Sequence, residues 1–257
     1  TEDGSQRITY NPRVGVRAQS GVEFYNKLRN SVYFCDFPNN FLIGLMVNAE
    51  AESALRPDAA GDCNCRTSTT RTFEYPASKC SVRACPTGRT CRCMSYGYWQ
   101  LNTLGGEGID YWQWLDTNSG GTFGPRYSYV IDFDPISSRT VEDQAKMIFN
   151  EENQFRWVSW RLKEIFDGTA IARYGGGSEP GVLYSDQSIS PLEWSSLIAK
   201  FFEDCLHCGG NSSIKAGTGD AEQRRRAAMG DAYARGDLLN EVGDSQGPEQ
   251  CRGRNLP

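Results

Sequence analysis

The chain has 257 residues, 39% hydrophobic and 23% charged, with a formal net charge of −5 at pH 7. That length suits one large domain, or one domain with an appendage, and is enough to bury a sizeable core. The acidic balance lacks the basic footprint of a nucleic-acid binder, and no stretch approaches the roughly 18 to 20 consecutive apolar residues of a membrane span. Neither nucleic acid nor a bilayer span is therefore expected.

Residues 1–20 carry Gly, Pro, Arg and Gln with little periodicity and read as an N-terminal arm. Their opening, Thr1-Glu2-Asp3-Gly4, is neither a secretory signal nor an obvious targeting peptide, so a removed leader and no leader both stay open. Val22, Phe24, Tyr25 and Leu28 place one amphipathic helix over residues 21–31. Pro38-Asn39-Asn40 is a start signal for a second helix, which runs to about Leu55 and is stopped by Pro57. This helix is apolar on nearly every face through Val47, which predicts a central buried helix.

Residues 58–94 read as a polar, basic, cysteine-rich loop, an insertion in the domain. Its Arg66, Arg71, Lys79, Arg83, Arg89 and Arg92 make a local basic patch on an acidic protein. Such a patch steers anionic polymers, although ordinary solvation of a loop explains it equally well. Residues 109–115 predict a short aromatic helix with Tyr111, Trp112 and Trp114, and an irregular stretch follows from Asn118 to Pro135. Thr140 is the expected N-cap of a long helix to about Phe166, with Ala145, Ile148, Phe149, Phe155, Val158 and Leu162 as its apolar positions. A Gly-rich loop spans 173–188. Ser190-Pro191-Leu192-Glu193 combines an N-cap, a proline at the first helical position and an acid in the first turn, opening a helix to about Leu206. Residues 209–219 read as a linker and 220–235 as a last helix, within a C-terminal region 211–257. The expected fold is mainly α: a helical bundle around a central buried helix, with long loops and one cysteine-rich insertion in a domain over 21–210.

Ten cysteines are many for a reduced cytosolic enzyme, and six of them fall between Cys63 and Cys93. Two Cys-x-Cys pairs, Cys63/Cys65 and Cys91/Cys93, supply four thiolates for a structural zinc. The same residues serve a disulfide-stapled loop, which a segment without its own core requires. Both readings stay open. With His207 the one histidine of the chain, a Cys-His nucleophile pair is not expected.

Chemistry is concentrated between Leu45 and Gln100. Leu45, Ala49 and Glu52 share a helix face by their spacing, which sets the Glu52 carboxyl beside apolar neighbours. Glu50 follows Ile43, Met46 and Val47 by the same arithmetic, so periodicity does not choose between the two acids. Cleaving a glycosidic bond needs a carboxylic acid still protonated near neutral pH, which an apolar surround provides by penalising the ionised form. A lone glutamate at a helix end more often just closes the helix at the surface. Two features favour chemistry here. Ser53 can bond locally and fix the helix end, and Ser95-Tyr96-Gly97-Tyr98-Trp99-Gln100-Leu101-Asn102 forms a turn. In that turn Gly97 permits close backbone approach, Gln100 can bond a sugar substituent, and the Tyr98 and Trp99 rings offer flat faces.

The strings Gly44-Leu-Met-Val-Asn-Ala-Glu-Ala-Glu52-Ser53-Ala-Leu-Arg-Pro57 and Ser95-Tyr-Gly-Tyr-Trp-Gln100-Leu-Asn102 together resemble the Glu-Ser and Gly-x-x-Gln motifs of the lysozyme-like superfamily. That superfamily includes lytic transglycosylases and goose-type lysozymes, and the likeness is nearest to the phage tail lysozyme family. It covers about residues 21–235, with lower-information matches at Val141-Glu142-Asp143-Gln144, Ala199-Lys-Phe-Phe-Glu203 and Gln223-Arg224-Arg225 through Tyr233. It departs at Ala54, where the family has Gly after Glu-Ser, in the longer cysteine-rich insertion, and at Gly175 of Ile171-Ala-Arg-Tyr174-Gly175, where transglycosylases carry Asn.

The resemblance implies an α+β lysozyme-like fold and a glycosidase cutting the β-1,4 bond between N-acetylmuramic acid and N-acetylglucosamine in peptidoglycan. It implies Glu52 as general acid and a substrate cleft including Ser53, Tyr96, Gly97, Trp99 and Gln100. No cofactor is implied for catalysis. A hydrolase needs a second carboxylate, for which Asp62 is a candidate and Glu50, Asp58 and Glu107 are weaker ones, whereas a lytic transglycosylase needs none. Implied partners are peptidoglycan and other phage tail or baseplate proteins, and the implied location is a virion tail or the extracellular space, acting on the cell wall in the periplasm. The alternatives are a catalytically inactive virion component that binds peptidoglycan, and a secreted, cysteine-stapled defence lysozyme.

Overall fold

The structure, a computed structural model, describes residues 21–61, 63–66, 73–74, 85–102, 111, 114–115, 147–168 and 181–202. Both arms, Asp62, Glu107, Thr140, Tyr174 and the expected helix over 220–235 lie outside the described residues. Among the described residues the fold is helix-rich with a few short strands, in line with the mainly-α expectation. The helices are α1 (Gly21–Asn30), α2 (Asn39–Ser53), α3 (Glu151–Ile165) and α4 (Pro191–Phe201). The strands are β1 (Ala60–Gly61), β2 (Asn64–Arg66), β3 (Phe73–Glu74), β4 (Thr90–Cys93), β5 (Ser95–Tyr96) and β6 (Leu101–Asn102). They belong to two compact units, one holding Arg56–Gln154 and the other Ala18–Leu55 and the chain from Phe155.

The second of these units is built on α2. Every residue of α2 from Phe41 to Ala49 is buried, so the helix has no solvent face between its opening Asn39-Asn40 and Glu50. One reason is Gly44: a Cβ there would lie 2.8 Å from Ser195 N and 2.8 Å from Trp194 Cβ, so the backbones of α2 and α4 approach as only glycine allows. Asn48, wholly buried, uses its Nδ2 to donate to Gly44 O at 2.9 Å and to Ser195 O at 3.0 Å, pinning the two helices in one register. Asn40 Nδ2 donates to Ile189 O at 3.0 Å near the start of α2. Aromatic rings fill the remaining space: Phe41 lies 4.5 Å from Trp194, Phe166 lies 5.4 Å from Trp194, and Phe155 meets Phe24 and Phe34 edge-on. Beside them Lys163 Nζ pairs with Asp36 Oδ2 at 2.7 Å and sits 5.4 Å above the Phe37 and Tyr184 rings.

The α4 start follows the expected pattern. Ser190 caps the helix, accepting from Glu193 N at 3.2 Å, while Glu193 Oε2 accepts from Ser190 N at 2.9 Å. The long helix expected from Thr140 is interrupted instead. Residues 147–148 are helical, the chain leaves the helix at Phe149 and Asn150, and α3 begins at Glu151. Asn150 supplies the cap, its Oδ1 accepting from Asn153 N at 2.9 Å. The apolar spacing of Ile148 and Phe149 runs on across the break, so it concealed it.

The unit holding Arg56–Gln154 corrects the reading of residues 58–94 as a loop. Two three-stranded antiparallel sheets occur there, in the orders β1-β5-β6 and β2-β4-β3. In the second, Asn64 pairs with Arg92 and Cys65 with Cys91, a register that sets Cys63 opposite Cys93. Alternation along a strand puts both cysteines of each Cys-x-Cys pair on one face. Cys63 is bonded to Cys93 and Cys65 to Cys85, and Cys35 and Cys91 are also disulfide-bonded. A sulfur in a disulfide is no thiolate and cannot ligate zinc. The structural zinc entertained for Cys63, Cys65, Cys91 and Cys93 is therefore replaced by disulfides, and no metal-holding group occurs among the described residues. Among those residues no helix is long and apolar enough to cross a membrane.

Candidate functional site

The site residues named from the sequence fall in both units, and each group is built by its own surroundings. Glu52 and Ser53 form the last turn of α2. Burial relents at that turn, where Glu50, Ala51 and Glu52 are all half-buried, so burial does not choose between the two acids. Ser53 is buried, and its hydroxyl donates to Ala49 O at 2.8 Å, fixing the end of the helix as its position suggested. The helix stops two residues before the expected Leu55. Ala54 takes the left-handed conformation at φ 53° and ψ 40°, and its N–H still donates to Glu50 O at 3.0 Å. Leu55 follows at φ 59° with its side chain buried. Left-handed backbone ends helices without help from a downstream proline, and costs a Cβ-bearing residue about 1 kcal/mol. Ala54 thus holds, at that cost, a conformation that Gly adopts freely.

The second group is the turn between β5 and β6. Ser95 pairs with Asn102 and Tyr96 with Leu101, leaving Gly97 to Gln100 as a four-residue connection. Gly97 has φ 80° and Gln100 φ 46°. The turn is held to the segment before β1, since Gly97 N donates to Ala59 O at 2.9 Å. Gln100 folds back on its own turn, with Nε2 donating to Gly97 O at 3.0 Å. Its Oε1 lies against Gly61, where any Cβ would overlap it. An amide nitrogen carries two protons, so this bond leaves Gln100 a second N–H; the residue is half-buried.

The neighbouring rings behave differently from expectation. Tyr96, Tyr98 and Trp99 are at most 1% exposed, and Tyr98 and Trp99 pack edge-on at 5.6 Å. Tyr96 O–H donates to Cys93 O, and Tyr98 O–H to the Glu151 carboxylate. These rings are core, with no face available as a sugar platform. Their apolar character was read correctly, but a ring that fills a core and one that lines a cleft look alike in sequence.

Two residues that sequence reasoning missed complete the turn. Gln154, wholly buried on α3, accepts from Tyr98 N through Oε1 at 2.8 Å. Its Nε2 donates to Pro57 O at 2.9 Å and to Ile148 O at 3.3 Å. It also presses on Gly97, where a Cβ would overlap the Gln154 amide. The available signal was a glutamine three and four residues before Trp157 and Val158, on a buried face. Gly61 is the other, marked by nothing beyond its residue type.

Of the carboxylates named to assist Glu52, Asp62 and Glu107 lie outside the described residues. Asp58 is buried, with Oδ1 3.3 Å from Arg56 Nε and Oδ2 without a hydrogen-bond partner among the described residues. A buried carboxylate oxygen left in this state is costly.

No protein-family model, curated protein or solved structure matches the chain.

Proposed function

We propose that the protein is a peptidoglycan-degrading glycosidase of lysozyme-like type, a muramidase or lytic transglycosylase, serving as a phage tail or virion-associated lysin for local wall penetration. The observation that carries this reading is a succession along the chain. A carboxyl stands at the accessible end of an otherwise buried helix, Glu52, and a glycine-dependent turn ending in Gln100 follows, with the residue types of the family's two motifs. The disulfides agree with it, because such bonds persist outside the reducing cytosol, where a wall-acting enzyme works.

In this reading the Glu52 carboxyl donates its proton to the leaving glycosidic oxygen. A hydrolase then needs a second carboxylate, about 5 to 5.5 Å away for retention or about 6.5 to 9.5 Å for inversion. Asp62 is the candidate for that role by sequence position, with Glu50, Asp58 and Glu107 as weaker ones. In the transglycosylase route Glu52 acts first as acid and then as base, and the muramyl 6-hydroxyl closes an anhydro ring. Gln100 contributes its remaining amide donor to a sugar substituent.

The test is a zymogram on purified cell wall with the wild type and Glu52→Gln. Clearing by the wild type and loss of clearing in the variant is the expected result; equal clearing by both excludes Glu52 as the acid. Mass spectrometry of the released muropeptides separates the routes, with reducing ends for hydrolysis and anhydro ends for transglycosylation. Asp58→Asn and Asp62→Asn identify the partner: a hydrolase loses activity with one of them, a transglycosylase with neither.

A further inference from the structure

We infer that Gln154 is a positioning residue for the substrate-binding turn, acting through the Tyr98 amide and the Pro57 carbonyl to set how Gln100 meets a saccharide. This role rests on the glycosidase reading above.

The Gly97–Gln100 turn has few restraints of its own. Its ladder to β5 and β6 is two residue pairs long, and the Gln100 N–H reaches Gly97 O at 3.3 Å. A four-residue connection on such short strands holds one geometry only if something outside it does the holding. Gln154 does so from three directions. Its Oε1 takes the Tyr98 N–H, and its Nε2 ties the same side chain to Pro57 O at 2.9 Å and to Ile148 O at 3.3 Å. One buried amide thereby joins the turn, the Arg56–Gly61 segment and the approach to α3. The Gly97 N–H bond to Ala59 O fastens the same two segments one step further on.

Tyr98 is gripped at its other end as well. Glu151, three residues before Gln154 and so on the same face of the helix, accepts the Tyr98 phenol proton. Backbone and ring of one turn residue are therefore both anchored on the first turn of α3. A Cβ at position 97 would overlap the Gln154 amide and displace it, a conflict separate from the strain that a φ of 80° imposes on any side chain.

Gln100 depends on this arrangement directly. Its side chain is folded onto Gly97 O and rests against Gly61. Release of Tyr98 from Gln154 loosens the Gly97–Tyr98 peptide, whose carbonyl is the acceptor that holds Gln100 Nε2. A binding donor that is no longer held in place must be ordered by the ligand, which weakens binding without altering the reacting carboxyl.

The test is Gln154→Met, which keeps the approximate volume and removes all three hydrogen bonds, measured beside the wild type on soluble peptidoglycan fragments. The expected result is KM raised about tenfold with kcat within about threefold, the signature of lost ground-state and transition-state binding alike. An unchanged KM, or a fall in kcat alone, overturns the role. Amide hydrogen exchange on the wild type gives a readout that needs neither a variant nor activity. The Tyr98 N–H should exchange as slowly as the amides of α3, although it sits in a hairpin turn, and rapid exchange overturns the clamp. A wild type without activity on peptidoglycan would overturn the glycosidase reading and the saccharide role with it, while slow Tyr98 exchange would still establish the clamp itself.

Discussion

Gly44→Ala puts the packing of α2 against α4 to a test of sign. In an exposed helix interior this change stabilises, because Ala exceeds Gly in helix propensity by about 1 kcal/mol. At Gly44 the added methyl would meet Ser195 N at 2.8 Å, Trp194 Cβ at 2.8 Å and the Trp194 carbonyl carbon at 2.9 Å. Optimal carbon contacts lie at about 3.5 to 4.0 Å, so α4 must retreat by most of an ångström. Two of the three atoms are backbone, and none belongs to the far end of a flexible side chain. Retreat also stretches the 3.0 Å bond from Asn48 Nδ2 to Ser195 O, whose donor is wholly buried. Overpacking of this kind costs about 1 to 3 kcal/mol, and the strained Asn48 bond places the case toward the upper end. Subtracting the propensity gain leaves a net loss of about 1 to 2 kcal/mol. For a chain of this size that lowers the melting temperature by roughly 2 to 8 °C. The assay is urea and thermal unfolding followed by intrinsic fluorescence, to which Trp194, packed at the contact, contributes. A variant more stable than the wild type would refute the close approach of these helices.

Two other perturbations follow from the backbone and from a buried phenol. Ala54→Gly should stabilise by about 0.5 to 1 kcal/mol, since Ala54 is exposed and occupies the left-handed region at φ 53°; a destabilised variant in the same urea assay would refute that backbone. Tyr111 is fully buried, and its O–H donates to Ile148 O at 3.0 Å. Burial raises its pKa well above the ordinary tyrosine value of 10.0, because the phenolate is desolvated. The folded chain then holds a proton that the unfolded chain releases above pH 10, so this stabilisation is complete below pH 10 and is lost as the pH rises toward the raised folded value. Tyr111→Phe should cost about 1 kcal/mol at pH 7, and its deficit relative to the wild type should shrink above pH 10, whereas parallel stability curves through that range would refute the burial.

What could be read from the sequence was what local chemistry fixes. The Ser190-Pro191-Leu192-Glu193 cap is legible because its donors and acceptors lie within four residues of each other, and it forms as expected. The all-round burial of α2 was legible from an unbroken apolar run, and Ser53 at its end from position alone. The motif positions Gly97 and Gln100 were legible as a turn, with the backbone that glycine suggests. The cysteines announced cross-linking, but their spacing served thiolate ligands and disulfides equally.

Long-range partners decided the rest. Tyr98 and Trp99 are core because other segments close over them, and an aromatic residue type carries no record of which side it faces. Cys63 meets Cys93 because β2 and β4 pair in one particular register, across 30 residues of chain. The break before α3 is a local exception: Asn150 caps the helix by accepting from Asn153 N three residues on, a signal that the unaltered apolar periodicity masks. Gln154 became part of the turn through bonds to Tyr98 and Pro57, 56 and 97 residues away. Periodicity records which face of an element is apolar, since burial repeats with the helix or the strand; a single hydrogen bond between distant segments leaves no repeat, so only the folded chain discloses it.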